Sequence, residues 1–145
     1  MAGSCASKGT VSSLVIFDTS IFIDHLRTNC HAERIANIKG LIRTSSVVLA
    51  ELWRGATQPA ERAFLRELAM NHPVLTPTEG MWLESGQVLG RIRADEGLSA
   101  GRLRDLHFDV LIALTARACG ARLVTGNGAD FKLIKRYRDF ALEVW

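Results

Sequence analysis

Four acidic residues that follow or interrupt apolar runs constrain this chain more than any other feature. Asp18 follows Leu-Val-Ile-Phe, Glu51 lies within Val-Val-Leu-Ala-Glu-Leu-Trp, Asp109 precedes Val-Leu-Ile-Ala-Leu, and Asp130 follows Leu-Val-Thr-Gly-Asn-Gly-Ala. A carboxylate that is buried without a partner costs several kcal/mol, and no matching set of lysines or arginines stands beside these four. A shared divalent cation is the simplest partner for all of them, so the pattern predicts a metal site.

Short apolar segments alternate with amphipathic helical patterns along the chain. Strands are predicted at residues 14–17, 41–45, 73–75, 123–125 and 140–144. Helices are predicted at residues 21–27, 32–39, 47–56, 60–70, 78–94, 102–118 and 129–136. This alternation is typical of an α/β domain in which a short parallel sheet, here of about five strands, is flanked by helices on both faces. The length of 145 residues suits one such domain, which we place at residues 14–145.

The remaining residues, 1–13, are small and polar, and we predict that they form a flexible N-terminal arm. They lack the basic and apolar segments of an export signal. The three cysteines, Cys5, Cys30 and Cys119, are odd in number and widely spaced, which disfavours a disulfide framework. Apolar runs of a few residues fall far short of the roughly 20 needed to cross a bilayer. We therefore expect a cytoplasmic protein that does not enter the membrane.

Each of the four acids also has an ordinary structural explanation. Asp18 and Asp130 are at positions where an aspartate could cap a helix, and Glu51 could extend its carboxylate to solvent from an apolar helix face. Asp109 is the strongest candidate, because the side chains three, four and seven positions later on its helix face are apolar. Stabilisation by the helix dipole would explain Asp109 only if its helix began just before it.

Four segments, taken together, carry a family resemblance. They are Val-Ile-Phe-Asp-Thr-Ser-Ile-Phe-Ile-Asp at residues 15–24, Ser-Ser-Val-Val-Leu-Ala-Glu-Leu-Trp-Arg-Gly at 45–55, Phe-Asp-Val-Leu-Ile-Ala-Leu-Thr-Ala at 108–116, and Leu-Val-Thr-Gly-Asn-Gly-Ala-Asp-Phe at 123–131. In this order and at these separations, they resemble the PIN-domain nucleases and, within them, the VapC-type toxins of toxin-antitoxin modules. The resemblance runs from about residue 14 to residue 145.

The resemblance implies a catalytic site that binds Mg²⁺ or Mn²⁺. The family's catalytic and metal-binding acids fall on Asp18, Glu51, Asp109 and Asp130. Side chains that would orient these carboxylates are Thr19, Ser20, Thr125 and Asn127. Many relatives carry an aspartate at the position of Asn127, so this chain has a less negative site.

A VapC-like identity implies an endoribonuclease toxin that hydrolyses RNA phosphodiester bonds, leaves 5′-phosphate ends and inhibits translation. It also implies neutralisation by a cognate antitoxin and a homodimer within the toxin-antitoxin complex. The net charge of +3 at pH 7 is compatible with RNA binding, although proteins that never touch nucleic acid often carry such a charge. Candidate RNA-binding cations are Arg91, Arg93, Arg102, Arg104, Lys132, Lys135 and Arg136. Candidate antitoxin contacts are Trp53, Phe64, Leu68 and Trp82, although the amphipathic pattern favours ordinary core packing for them.

Other functions remain open from the sequence. A PIN-like module could bind nucleic acid without catalysis, or a nuclease of this type could process RNA without being a toxin. An aspartyl-phosphate phosphatase would require a second aspartate two residues after Asp18, where this chain has Ser20. A histidine-based ribonuclease would leave cyclic phosphate ends. None of the four histidines stands in an apolar run with a second catalytic group at helical spacing, which disfavours that class.

Overall fold

The sheet is parallel throughout the part of the chain that the computed structural model describes, residues 14–145. The predicted arm at residues 1–13 lies outside these described residues. Five strands are present in the described part: β1 (Leu14–Phe17), β2 (Leu41–Ser45), β3 (Val74–Leu75), β4 (Arg122–Thr125) and β5 (Ala141–Val144). Their order is β3-β2-β1-β4-β5, and every neighbouring pair is parallel. The α/β architecture predicted from the sequence is confirmed.

Seven helices connect the strands within the described residues. They are α1 (Thr19–Thr28), α2 (Ala32–Ala36), α3 (Ser46–Gly55), α4 (Pro59–Asn71), α5 (Glu79–Glu96), α6 (Ala100–Cys119) and α7 (Gly128–Lys135). The chain moves from β1 to β2 to β3 in one direction and then returns to β4 and β5 on the other side. Because parallel crossovers are right-handed, this reversal places α1 to α4 on one face of the sheet and α5 to α7 on the other.

Local signals explain where the helices begin and end. Ser45 caps α3, because its Oγ accepts hydrogen bonds from the backbone N–H groups of Val47 and Val48. Gly97 and Gly120 end α5 and α6 with φ angles of 66° and 69°, in the left-handed region where glycine is favoured. Helix α2 is shorter than predicted and ends at Ala36 rather than at residue 39.

Helix α6 is the central element of the core. Its buried residues are Leu106, Val110, Leu111, Ile112, Ala113, Leu114, Thr115 and Ala116. Each fully buried leucine or isoleucine contributes about 1.5 to 3 kcal/mol relative to an exposed one. This packing fixes the position of α6, and with it the polar side chains near the middle of the helix.

The carboxyl ends of β1 and β4 meet at the point where the strand order reverses. Phe17 is in register with Val124, and the next residue, Asp18, donates its backbone N–H to the Val124 carbonyl at 2.9 Å. Ligands of open α/β sheets bind beyond the strand ends at such a point. The same edge of the sheet therefore holds Asp18 and Thr125. Among the described residues, no helix is long and apolar enough to cross a membrane.

Candidate functional site

Asp18 is a buried carboxylate at the end of β1. Its side chain is 4% exposed, and although Asp18 occupies the N-cap position of α1, it makes no side-chain capping hydrogen bond. Instead its Oδ2 accepts hydrogen bonds from Ser20 Oγ and Thr125 Oγ1, both at 2.8 Å. Helix capping therefore does not explain the presence of Asp18, and two hydroxyl groups fix the orientation of its carboxylate.

These two hydroxyls are themselves held by the backbone of the loop that follows β4. The N–H of Gly126 donates to Ser20 Oγ at 2.9 Å, and the N–H of Asn127 donates to Thr125 Oγ1 at 2.9 Å. Because a carboxylate oxygen accepts, each hydroxyl donates its proton to Asp18 while its own oxygen accepts from the backbone N–H. The orienting roles predicted for Ser20 and Thr125 agree with these contacts.

Glu51 projects from α3 toward the same edge and is half-buried. Its Oε1 accepts a hydrogen bond of 2.7 Å from Thr19 Oγ1, which spans 32 residues of sequence. Burial raises the pKa of Glu51, the Thr19 hydrogen bond lowers it, and the charge of Asp18 raises it. Glu51 thus belongs to the acidic site rather than to a solvated helix face.

Asp109 is the tenth residue of α6, which begins at Ala100. The helix dipole acts within the first turn, so it does not account for a carboxylate in the third. Burial raises the pKa of Asp109 from its ordinary 3.8 to about 8. The next contributions come from the negative charges of Asp18, Glu51 and Asp130, while the positive charge of Arg102 lowers the pKa. The structure therefore brings all four sequence-predicted acids into one electrostatically coupled group.

Asp130, in the first turn of α7, has both carboxylate oxygens engaged. Its Oδ1 accepts a hydrogen bond from Arg102 Nη2, and its Oδ2 accepts one of 2.9 Å from Asn127 Nδ2. Asn127 stands at the N-cap position of α7 but makes no side-chain capping bond there. Its amide holds Asp130 instead, so Asp130 differs from the other three acids in its surroundings.

The donor chemistry of the site fits a hard divalent cation. Carboxylate oxygens are the ligands that Mg²⁺ and Mn²⁺ prefer, and burial, together with the charges of three neighbouring carboxylates, raises the pKa of Asp109. The hydroxyl groups bond to Asp18 Oδ2 and Glu51 Oε1, so the second oxygen of each carboxylate, Asp18 Oδ1 or Glu51 Oε2, takes no part in these bonds. Across residues 14–145, however, no group of three or more His, Cys, Asp or Glu side chains is already arranged to hold a metal ion.

The cations predicted to bind RNA differ in their surroundings. Arg136 donates to Glu96 at 2.6 Å, Lys135 donates to Asp139 at 2.5 Å, and the Arg91 guanidinium lies 5.3 Å from the Tyr137 ring centroid. Arg91 and Arg136 are nevertheless exposed to solvent, as are Arg93, Arg104 and Lys132. Within the described part of the chain, Arg102 is the member of the set that contacts a predicted acid. The sequence does not reveal this pairing, because Arg102 and Asp130 are 28 residues apart.

An apolar groove with a volume of about 180 Å³ opens beside Glu51. Its apolar lining comes from α1, α3 and α4 and consists mainly of Ile23, Leu26, Leu52 and Leu65. The four residues predicted as antitoxin contacts do not line it, since Leu68 is buried, Phe64 packs on Phe22, and the two tryptophans are exposed elsewhere. In the sequence, the apolar residues 23 and 26, spaced to share one helix face, are the feature that indicates this groove.

Known proteins are similar to this chain in sequence family and in fold. The family model described as PIN domain matches residues 15–137. The structure of VapBC2 from Rickettsia felis, bound to a DNA fragment from their promoter, is similar with a TM-score of 0.68 and 25% identity, covering 91% of this chain and 98% of that one. DNA-bound VapBC from Salmonella typhimurium gives a TM-score of 0.70 and 21% identity, covering 92% and 98%, and bears on the fold alone. No curated protein sequence matches.

Proposed function

The chain belongs to the PIN domain family, and from that premise we propose that it is a VapC-type toxin, a metal-dependent endoribonuclease that inhibits translation in the cytoplasm. The convergence of the acidic residues around Asp109, with its pKa raised to about 8, carries this proposal. Strongly raised pKa values of clustered carboxylates are typical of functional sites. A module that only bound nucleic acid would have no use for negative charge at this position.

Asp18, Glu51 and Asp109 are the residues that would hold Mg²⁺ or Mn²⁺, and Asp130 would complete the site directly or through water. The cation supplies a water of lowered pKa and neutralises the charge that develops on the attacked phosphate. Asp130 can ligate directly only if Arg102 or Asn127 releases one of its oxygens, because both are engaged.

The chain's own side chains prepare this chemistry. Ser20 and Thr125 fix the plane of the Asp18 carboxylate, and Thr19 fixes one oxygen of Glu51. With Glu51 holding the cation through water, its Oε2 would orient the attacking water and accept its proton, a role that suits a carboxylate whose pKa is raised above its ordinary value. Preorganised contacts of this kind need no rearrangement when the RNA binds.

Hydrolysis by an activated water does not use the RNA 2′-hydroxyl, so the products carry 5′-phosphate and 3′-hydroxyl ends. The histidine-based alternative has little support, because His107 is held by Ser85 at 3.0 Å and packs against Trp82. The phosphatase alternative has no second aspartate, since Ser20 occupies that position and donates its hydroxyl proton to Asp18.

We further propose that a cognate antitoxin neutralises the protein by placing an apolar segment in the groove beside Glu51, and that the toxin forms a homodimer. The similarity to two VapBC structures supports the antitoxin. Leu26, which is 38% exposed at the groove, offers a test. Leu26→Glu should weaken antitoxin binding and leave RNA cleavage by the free toxin unchanged. A non-toxin RNA-processing nuclease would have no such partner.

Mapping the ends of cleaved RNA tests the chemistry. The purified protein is incubated with total RNA in Mg²⁺, Mn²⁺ or EDTA, and the fragment termini are sequenced with and without phosphatase treatment. The proposal requires discrete cuts with 5′-phosphate ends that EDTA abolishes. RNA that is bound but left intact in the presence of either metal would instead establish the noncatalytic binding module, and cyclic phosphate ends would establish a different ribonuclease mechanism.

A further inference from the structure

We propose that Asp130 acts as the anchor of Arg102 rather than as a metal ligand, and that Arg102 binds a phosphate of the RNA beside the metal site. This inference rests on the proposed nuclease function and assigns different roles to two residues of the same site.

The hydrogen bonds of Asp130 are the first observation. Arg102 donates to one oxygen and Asn127 donates to the other, so ligation of a cation by Asp130 would break a charge-assisted bond. In Asp18 and in Glu51, by contrast, hydroxyl groups bond to only one of the two carboxylate oxygens. Asp18, Glu51 and Asp109 are therefore better placed as ligands than Asp130.

The position of Arg102 is the second observation. Arg102 and Asp109 are seven residues apart on α6, which places them two turns apart on the same helix face. Asp130 holds the Arg102 guanidinium at the rim of the site.

The remaining donor capacity of Arg102 is the third observation. A guanidinium has five N–H donors in a planar fork, and the contact with Asp130 uses Nη2. The Arg102 side chain is 39% exposed, whereas that of Asp130 is 17% exposed. The outer donors thus face solvent, where they can form the bidentate contact with phosphate for which arginine is suited.

Electrostatics explain why such a residue is needed. A phosphodiester that approaches four carboxylates is repelled unless cations offset their charge. A bound cation would offset this repulsion at the attacked phosphate. A guanidinium fixed at the rim of the site would offset the repulsion at the neighbouring phosphate. Most other predicted RNA-binding cations are either engaged with residues away from the acids or exposed on the surface.

Manganese titration without RNA separates the two roles of Asp130. Isothermal titration calorimetry of Mn²⁺ into the wild type, Asp130→Asn and Asp109→Asn should show that Asp130→Asn keeps the affinity within about threefold, whereas Asp109→Asn weakens it about tenfold or more. Equal losses in both variants would overturn the inference. Thermal melts of each variant establish that it is folded.

RNA binding in EDTA tests Arg102 directly, with fluorescence anisotropy of a fluorescein-labelled, mixed-sequence, single-stranded RNA over a series of salt concentrations. Arg102→Ala should weaken binding and reduce the salt slope by about 0.7, the value for one phosphate contact on a single strand. The RNA affinity of Arg102→Lys should fall between those of the wild type and Arg102→Ala, because lysine keeps the positive charge but loses the planar set of N–H donors.

Whether Asp130→Asn strengthens or weakens RNA binding distinguishes most clearly between an acid that only adds negative charge and one that anchors Arg102. If Asp130 only added negative charge, its removal would strengthen RNA binding, as expected for the control Asp105→Asn, an exposed acid on α6. If Asp130 anchors Arg102, Asp130→Asn weakens binding despite the lost negative charge. Tighter binding by both variants would refute the anchor. A wild type that cleaves no RNA in Mg²⁺ would refute the nuclease itself, which is a separate outcome.

Discussion

Thr125 Oγ1 donates a hydrogen bond of 2.8 Å to Asp18 Oδ2, which joins residues 107 apart in the sequence. The bond links the ends of the two central strands, β1 and β4, at the point where the strand order reverses. Thr125 is fully buried, and its Oγ1 accepts from the Asn127 N–H while donating its own proton to the carboxylate, which is the acceptor. The orientation of Asp18 is thereby set by the fold of the sheet.

Replacement of Thr125 by valine should reduce cleavage without removing metal binding. Thr125→Val keeps the side-chain shape but deletes the hydroxyl, and loss of an orienting contact of this kind typically costs about 10- to 100-fold in activity or affinity. Stability should fall by about 1 to 3 kcal/mol, because the Asn127 N–H loses its acceptor. Steady-state kinetics should place the loss in kcat. Thr76→Val, at an exposed loop position, is the matched control, and equal activity of the two variants would contradict the orienting role.

The stability of the protein in EDTA should decrease as the pH rises from about 4 to about 8. The folded state raises the pKa of Asp109 from 3.8 to about 8, so folding favours the protonated carboxyl. This contribution is complete below the unfolded pKa and is lost as the pH rises through the folded one. Asp109→Asn should remove this part of the slope and keep or raise the melting temperature at neutral pH. Urea unfolding across the pH range measures the slope and thermal melts at neutral pH measure the melting temperature; an unchanged slope together with a lower melting temperature would contradict the assignment.

A divalent cation should stabilise the wild type through the same carboxylates. A ligand at about 100 times its Kd adds about 2.7 kcal/mol to the free energy of unfolding. Mg²⁺ or Mn²⁺ should therefore raise the melting temperature of the wild type but hardly that of Asp109→Asn. Melts in NaCl of equal ionic strength are the control for screening. A similar rise in both proteins would place the stabilising cation elsewhere.

Gly128 should be intolerant of a side chain. A Cβ at this position would meet Val144 Cγ1 at 3.1 Å and Cγ2 at 3.2 Å, so in Gly128→Ala the Val144 side chain must shift to relieve the contact. Overpacking of this kind costs about 1 to 3 kcal/mol, which urea unfolding would detect. Val144→Ala should rescue the loss. Gly86→Ala, in α5 with no atom within 4 Å of the added carbon, is the control and should be neutral or stabilising.

The sequence predicts the architecture well because its local signals agree. The alternation of apolar strands with helices, Ser45 before α3 and the glycines after α5 and α6 all match the structure. Thr19 and Ser20 illustrate the limit of such signals. Both are good capping residues, yet they lie inside α1 and bind acidic side chains instead, because the site offers them stronger acceptors.

Contacts between distant residues are the part that a single sequence does not specify. The pairing of Arg102 with Asp130 and the hydrogen bond from Thr125 to Asp18 depend on which strands are neighbours and on the register of α6 against the sheet. Neither quantity follows from local periodicity. From the sequence Arg102 is one of several candidate RNA-binding cations, whereas in the structure it contacts one of the four acids.

The most direct test of the proposed function is the cleavage of RNA in Mg²⁺ by the wild type, Asp109→Asn and Asp105→Asn. The two variants each replace one carboxylate of α6, but only Asp109 shares the site, since Asp105 is exposed to solvent. At saturating RNA we expect Asp105→Asn to cut at the same positions and with the same kcat as the wild type, and Asp109→Asn to leave the RNA intact while remaining folded. Undiminished cleavage by Asp109→Asn would contradict the proposed active site.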